Sequence, residues 1–556
     1  MSLQPKHPQD YILPPPHGWG LYYDPLYGYI PISPLIRRAL DLPSMQRLRR
    51  IKQLSTVELV FSGATHSRFE HSVGVYWLAT RVFDRLFDKR AGDRKKEHWP
   101  SLGWGCKLAL QLAALFHDIG HGPGSHVFEI FCDRHPDFRE FKHEKSTEKL
   151  IREGIGDYRD IPEFLSKLHT RLRKEGVADA DFVLPENVSC IATGQPPSCD
   201  NSYLFLSQIV SSDFDVDRMD YLCRDAMHTG VNVGSVDIWE IIHNFTLQPV
   251  SEKGTTIWQA RLEKGAAQAL EALFTARDLA YRKIYYNKTH RTAQEMLTLA
   301  LSKALTKRTK EQLAMLTDDE LLQLLHECGP LASDIAQRIT FRRIYEPLPF
   351  EVSLDLDLDE GSRRQISRYT LPKSVRESEK VLEFFESVSK DLGLSEELSI
   401  IFDLEPTPLT RKEAFTLPCL YDEEKDQDFS LIDILPHLQL LHGEDTIGQQ
   451  KYDHHERYTQ TTHQILIMLP YEFLSGCVDL MEEQLKVEVG NYPIQLIQMR
   501  SAAKRVYDEK LKLIINRFTE WIVLEDPTRK ASLTSRFEES MIDYLTILYS
   551  DREDLA

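Results

Sequence analysis

Residues 107–116 are almost wholly apolar and run straight into His117-Asp118-Ile119-Gly120-His121-Gly122-Pro123-Gly124-Ser125-His126. An apolar run of that length reads as a helix buried in the middle of a domain, so other elements must pack around it. Gly120 and Pro123 stop the helix, which sets His117 and Asp118 at its C-terminal end. A His-Asp doublet with two further histidines close by suits a divalent transition metal, and spare imidazoles can move protons. Few structural needs crowd such groups together.

The surrounding periodicity is helical too. Over residues 68–87, Val73, Trp77, Leu78, Val82, Phe83, Leu86 and Phe87 recur at spacings that make one apolar face. Further helices are expected at 143–153, 203–212, 216–228, 236–244 and 264–304. Residues 247–250 and 255–262, joined by Ser251-Glu252-Lys253-Gly254, read as a small hairpin. Beyond about residue 310, short helices at 318–327 and 330–339 precede alternating apolar residues over 341–358. Polar, loop-like stretches at 422–428 and 443–462 follow, then long helices near 470–487, 493–521 and 532–549. The expected architecture is mainly α. A tail (1–20) leads into a helical catalytic domain with a small β-hairpin (21–310), then a mixed α/β region (311–465) and a C-terminal helical lobe (466–556). No internal repeat or extended low-complexity tract interrupts this order.

A chain of 556 residues with 42% apolar content can bury a large core. No apolar run approaches the roughly 20 residues that cross a bilayer, so no membrane partner is expected. Residues 1–16 are polar and proline-rich, unlike a signal peptide. The eight cysteines are scattered, with no Cys-x-x-Cys pair, and read as reduced, mostly buried thiols of a cytoplasmic protein. A formal charge of −18 argues against a nucleic-acid partner but leaves room for a local basic pocket that holds one phosphate-rich small molecule. The acidic run Asp355, Asp357, Asp359 and Glu360 reads as a solvated loop or edge.

A buried metal needs three or four ligands from elements that converge on one point. Taken singly, His71 in Arg68-Phe69-Glu70-His71-Ser72 reads as a capping or surface histidine. Asp217 is one of three acidic residues, with Asp215 and Asp220, at a helix start that stabilises negative charge. In combination, the order His71, His117-Asp118, Asp217 resembles the HD phosphohydrolases. The flanking text narrows the resemblance: Gln46-Arg47-Leu48-Arg49-Arg50-Ile51-Lys52-Gln53-Leu54, Phe61-Ser62-Gly63-Ala64, Arg68-Phe69-Glu70-His71-Ser72-Val73-Gly74-Val75, Asp215-Val216-Asp217-Arg218-Met219-Asp220-Tyr221 and Arg224-Asp225. Over about residues 20–300 the chain is similar to the deoxynucleoside triphosphate triphosphohydrolases, both the vertebrate SAM-and-HD-domain enzymes and bacterial dGTPase-like relatives. The expectation is a catalytic core without a SAM domain.

The resemblance implies a ligand set, a reaction and a set of substrate contacts. His71, His117, Asp118 and Asp217 would bind one divalent ion (Fe, Mn, Zn, Co or Ni), and Mg or Mn could accompany the nucleotide phosphates. Water would attack the α-phosphorus of a dNTP to give deoxynucleoside and triphosphate. His126 matches the general acid, His121 a second active-site histidine and His143 a third, with Glu129 as their carboxylate partner. Capping or loop roles remain the alternative for these histidines. Arg68, Arg218 and Lys288 match phosphate contacts, Tyr221 and Asp225 the sugar, and Gln53 and Leu54 the sugar and base. Arg277, Tyr285 and Tyr286 fall on the helix that supplies further contacts, with Tyr286 where the family has glutamine. Ordinary packing is an equal reading for these outer residues.

Asp41, Gln46 and Arg49 match a guanine-recognising effector site between subunits, which implies a nucleotide-responsive homo-oligomer, a dimer or tetramer, whose effector differs from that of the vertebrate enzymes. The family's Asn-Asp-Pro is here Tyr23-Asp24-Pro25, and only Lys264 keeps the basic character of the second effector site. A structural role for Gln46 and Arg49 stands beside the effector reading. Two other functions compete with triphosphohydrolysis. One is a different HD phosphohydrolase activity (nucleotidase, phosphodiesterase or nuclease), although the Gly-Tyr-Pro signature of the cyclic-dinucleotide class is absent. The other is a nucleotide sensor without catalysis, against which the intact ligand set speaks. The basic segment 500–512 reads as a solvated helix face.

Overall fold

The computed structural model describes residues 18–92, 96, 98–134, 141–252, 254–304, 308–347, 352–354, 401–405, 419–422, 425, 427–435, 463–469, 471–489, 496–516 and 527–553. The chain forms two units that interleave along the sequence. One comprises residues 1–287, 307–323 and 408–458, and the other 288–306, 324–407 and 459–556.

The first unit opens with an antiparallel hairpin, β1 (Gly20–Asp24) and β2 (Gly28–Ile32), then two short helices, α1 (Pro34–Leu40) and α2 (Pro43–Arg47). Helices α3 (Arg68–Gly92), α4 (Trp104–Phe116), α5 (His126–Arg134), α6 (His143–Arg152), α7 (Asp160–Lys174), α8 (Pro185–Ala192), α9 (Leu204–Val210), α10 (Val216–Thr229) and α11 (Ile238–His243) follow. As its composition demands, α4 is central: it packs against α3 and α8, with Leu108, Leu110, Leu112, Leu115 and Phe116 all buried. Each of those side chains contributes about 2 kcal/mol of burial. The helix begins at Gly103 and ends at His117, so its apolar length delivers the His-Asp doublet into the core.

Strands β3 (Phe245–Glu252) and β4 (Thr255–Glu263) form the expected hairpin, but it is half of a four-stranded sheet. Two later strands, β8 (Leu420–Asp422) and β9 (Gln427–Phe429), add to it in the order β3-β4-β8-β9, with β8 parallel to β4. The stretch expected as a loop over 422–428 is strand at both ends: Asp422 pairs with Gln427 in a hairpin whose Leu420 is fully buried.

The single helix expected over 264–304 is broken. Helix α12 (Ala267–Ala280) passes into a π-helical turn, Tyr281–Tyr285, and α13 (Lys288–Ala304) starts afresh in the second unit. The ring of Tyr281 packs edge-on against Tyr285 at 5.0 Å and Tyr286 at 5.5 Å, and the wider turn gives these rings room. Two helices that the sequence expectations omit nonetheless have legible signals. Helix α7 buries Ile161, Leu165, Leu168 and Leu172 at helical spacing, and α8 carries Pro185 at its first position.

In the second unit, strand β10 (His463–Leu469) pairs antiparallel with β5 (Glu346–Pro347), β6 (Val352–Leu354) and β7 (Ile401–Glu405). Residues 341–345 are not strand. Helices Tyr471–Val489, Leu496–Val506 and Pro527–Glu553 pack around Met481, Val506, Tyr507, Met541 and Leu545. The acidic run at 355–360 and the stretch 443–462 lie outside the described residues. All eight cysteines are free; Cys106, Cys132, Cys419 and Cys477 are buried and Cys199 is exposed, so burial is less general than expected. No described helix is long and apolar enough to cross a membrane.

Candidate metal centre

Three helices deliver the four expected ligands. His71 lies in the first turn of α3, His117 caps the C-terminus of α4 with Asp118 next to it, and Asp217 lies in the first turn of α10. That turn is held by Asp215, whose side chain accepts from the Arg218 amide at 2.7 Å. His71 Nε2 is 2.9 Å from Asp217 Oδ1 and 3.6 Å from Asp118 Oδ2. His117 Nε2 is 3.4 Å from Asp118 Oδ1 and 3.5 Å from Asp217 Oδ1.

The opposite ring nitrogens are anchored. His71 Nδ1 meets Asp220 Oδ2 at 2.7 Å, and His117 Nδ1 meets the Ala114 carbonyl at 2.9 Å. Each imidazole thus directs Nε2 inward, as a ligating histidine requires. Both Nε2 atoms are buried and lack an aligned hydrogen-bond partner. Two orphaned nitrogens facing two carboxylates fit a divalent cation. The electrostatics agree: burial disfavours charge on His71, yet the neighbouring carboxylates of Asp217 and Asp220 push its pKa up to about 10. Burial likewise opposes charge on His117, but Asp118 and Asp217 raise its pKa. Asp217 is held well below the usual carboxylate range, because His117 and His71 outweigh its burial.

A second histidine cluster adjoins the first. His121 Nε2 is 3.4 Å from Asp118 Oδ1, and its ring stacks on His143 at 4.0 Å and meets His126 edge-on at 5.3 Å. Burial, Arg68 and His143 hold the His121 pKa far down, so this imidazole is neutral. Glu129 accepts from His126 Nδ1 at 3.0 Å and also pairs with His143 Nδ1. Burial raises the Glu129 pKa, but the hydrogen bonds from both histidines drive it far below the ordinary value. Gly120 permits this convergence, since a Cβ there would overlap the backbone at His143 and Thr147.

Of the expected phosphate contacts, Arg68 is fully buried beside the ligands. It pairs with Asp118 and donates from Nε to Ser125 Oγ at 2.8 Å, while its Nη2 has no partner among the described residues. Arg218 lies next to Asp217 in sequence, donates to the Asp213 carbonyl and leaves Nε buried without a hydrogen-bond partner. Asp217, Tyr221 and Asp225 recur every fourth residue along α10 and so share one face, about 12 Å from end to end. Asp225 accepts from Tyr285 Oη at 2.6 Å. Gln53 and Leu54 are buried, the Gln53 carbonyl oxygen without a partner. Arg277 lies over the Tyr281 ring at 5.1 Å. Lys288 opens α13, in the second unit.

The expected effector residues have local structural partners. Gln46 Nε2 donates to the Leu40 carbonyl at 2.7 Å, its Oε1 accepts from Arg49 Nε at 3.0 Å, and Arg49 lies over the Phe69 ring at 3.6 Å. Asp41 caps α1. Lys264 pairs with Asp422 at 2.7 Å and lies over the Phe429 ring at 4.1 Å, which ties it to the β8–β9 hairpin.

Several supporting residues were not assigned from sequence. Arg224, fully buried, binds both oxygens of Asp220 at 2.8 and 2.9 Å and reaches Asp24 at 3.0 Å and Glu70 at 3.1 Å. A Cβ at Gly74 would overlap Asp220 and Arg224, so the glycine makes space for the pair that orients His71. Asp318 accepts from the amides of Lys52 at 2.9 Å and Gly124 at 2.7 Å. Arg47 donates to the carbonyls of Ile119 at 2.7 Å and His121 at 2.9 Å. The spacing of Asp220 and Arg224 on one helix was the single available signal for that pair.

Residues 68–225 match the HD domain and residues 252–356 match the HD associated region. The chain is 32% identical over 288 residues to uncharacterized protein YwfO of Bacillus subtilis, which covers 51% of this chain and 55% of that protein. It is 30% identical over 366 residues to the deoxynucleoside triphosphate triphosphohydrolase SAMHD1 of Gallus gallus, covering 59% and 55% respectively. Identity to uncharacterized protein MJ1154 of Methanocaldococcus jannaschii is 28% over 333 residues, 58% of this chain and 59% of that protein. The chain spans about half the length of the curated relatives it matches. His71, His117, Asp118 and Asp217 all fall within residues 68–225, the stretch that matches the HD domain.

Proposed function

We propose that the chain hydrolyses deoxynucleoside triphosphates to deoxynucleoside and inorganic triphosphate, with one divalent ion held by His71, His117, Asp118 and Asp217. The observation that carries this reading is the single face of α10, where Asp217 at the metal cluster is followed by Tyr221 and by Asp225 with its Tyr285 partner. One helix thus offers a phosphate end and a hydroxyl end. A bound divalent ion supplies charge for the α-phosphate and lowers the pKa of a water from 15.7 toward ~7. The residues do the rest. Arg68 Nη2 and the Arg218 guanidinium hold phosphate oxygens, and neutral His121 donates to the α-phosphate without adding charge. Water attacks the α-phosphorus as the bond to the 5′-oxygen breaks. His126, more than half exposed and oriented through Nδ1 by Glu129, gives its Nε2 proton to that oxygen. His143, on the other side of Glu129, passes protons onward. Asp225 and Tyr221 hold the sugar, Gln53 and Leu54 line its approach, and Arg277 and Tyr286 face the base.

The relative named as a deoxynucleoside triphosphate triphosphohydrolase supports this reading. So does His121, whose lowered pKa favours the neutral imidazole and whose buried Nδ1 has no hydrogen-bond partner among the described residues. We further propose a homo-oligomer that responds to nucleotide. One series tests both: pure protein with each dNTP and NTP, with and without Mn or Mg, followed for products and for mass by gel filtration. Triphosphate plus deoxynucleoside is the expected product pair; orthophosphate or monophosphate overturns the reaction. A mass and rate indifferent to every added nucleotide overturns the activation.

A further inference from the structure

We propose that His66 is a positioning residue for sugar recognition: it fixes the Asp225 carboxylate so that one lone pair of each oxygen faces the ligand's 3′-hydroxyl. The inference rests on the reading of the site as a deoxynucleotide site. His66 lies in the loop before α3, is almost wholly buried, and meets Asp225 Oδ1 through Nε2 at 2.8 Å. An ionised carboxylate only accepts, so His66 carries its proton on Nε2. Asp225 Oδ2 accepts from Tyr285 Oη at 2.6 Å. With a donor on each oxygen the carboxylate cannot rotate, yet about two of its four lone-pair sites stay open.

The donor is itself immobilised. The His66 ring stacks on His228 at 4.3 Å with 20° between planes, and His228 is held by Glu70 at 3.1 Å. The carbonyl of His66 accepts from the Gln53 amide at 2.9 Å, and a Cβ at Gly63 would overlap the His228 carbonyl, so the loop is pressed against the end of α10. A merely packed core histidine would have both nitrogens satisfied, whereas His66 Nδ1 is buried without a hydrogen-bond partner among the described residues. The same loop continues into Arg68 and His71, so the residue that sets the sugar's anchor is built into the segment that sets the phosphate and metal contacts.

The test compares dNTPs with the matching 2′,3′-dideoxynucleotides, which lack the hydroxyl that Asp225 would bind. In His66→Leu, kcat/KM for dNTP falls about tenfold or more, chiefly through KM, while the dideoxy substrate changes less than about twofold. His66→Gln, which restores an amide donor, recovers most of the preference. If His66→Leu does not fold by circular dichroism, His66→Phe, which keeps the ring stacked on His228 but removes the donor, carries the comparison; Tyr285→Phe, which removes the other donor, also narrows the preference. An unchanged dNTP-to-dideoxy ratio in whichever of His66→Leu and His66→Phe folds, or equal loss on both substrates, overturns the role of His66 alone. Wild-type protein that acts on neither substrate overturns the deoxynucleotide reading and this role with it.

Discussion

Glu129 binds His126 and His143 at once, and the consequences for each differ. Burial disfavours the imidazolium of His143, but the Glu129 hydrogen bond outweighs it and raises the pKa. A raised histidine stabilises the fold fully below its unfolded value of ~6.5 and loses that contribution as pH climbs through its folded pKa. Glu129 is depressed, so its contribution is full above ~4.3 and is lost as pH falls through its folded value. Thermal melts should therefore show the largest gap between wild type and Glu129→Gln at about pH 5–6, and a shrinking gap toward alkaline pH. A gap that grows with pH would contradict the assignment. The histidines themselves were legible as a motif. The raised pKa of His143 was not, because it depends on Glu129, which α5 places between His126 and His143.

At the scale of elements, α3 and α10 meet around a buried ion pair that no local pattern requires. Asp220 and Arg224 lie one turn apart on α10, Asp24 comes from the β1–β2 hairpin and Glu70 from α3. A Cβ at Gly74 of α3 would overlap both Asp220 and Arg224. In an ordinary helix interior, alanine for glycine stabilises by about 1 kcal/mol. Here the added methyl overlaps a pinned carboxylate, so Gly74→Ala should lower stability by about 1–3 kcal/mol, measured by denaturant unfolding. A stabilised variant would show that the close approach is not required. The break after Tyr285 has a similar origin. The apolar period of residues 264–304 is continuous, and the packed tyrosines that widen the turn include Tyr285, a long-range partner of Asp225.

For the molecule as a whole, a metal bound at a site assembled from three helices is bound only by the folded state, so its affinity adds to stability. Dialysis against a chelator should lower the melting temperature and added Mn should restore it; at ~100 times Kd the gain is ~2.7 kcal/mol. Asp217→Ala protein should show no such shift, hold well under one metal per chain by elemental analysis, and lose about 1,000-fold or more in rate. A chelator-indifferent wild type would refute the metal assignment. The interleaving of the two units, with residues 307–323 and 408–458 returning to the first, is a feature of the whole chain alone. Asp318, from one of those returning segments, accepts from the amides of Lys52 and Gly124 and so ties together two loops distant in sequence.

Local order was determined by the sequence itself: a buried apolar helix that ends in His117 and Asp118, helix starts at His71 and Asp217, and a hairpin at β3–β4. These arise from apolar period, capping residues and breakers, which act over a few residues. The tertiary structure alone decided what those residues face. The anchoring of His71 by Asp220, the Arg224 pair, the His66 clamp on Asp225 and the neutrality of His121 arise where burial strips away water and brings distant charges into contact. There a partner's identity depends on packing, not on spacing along the chain.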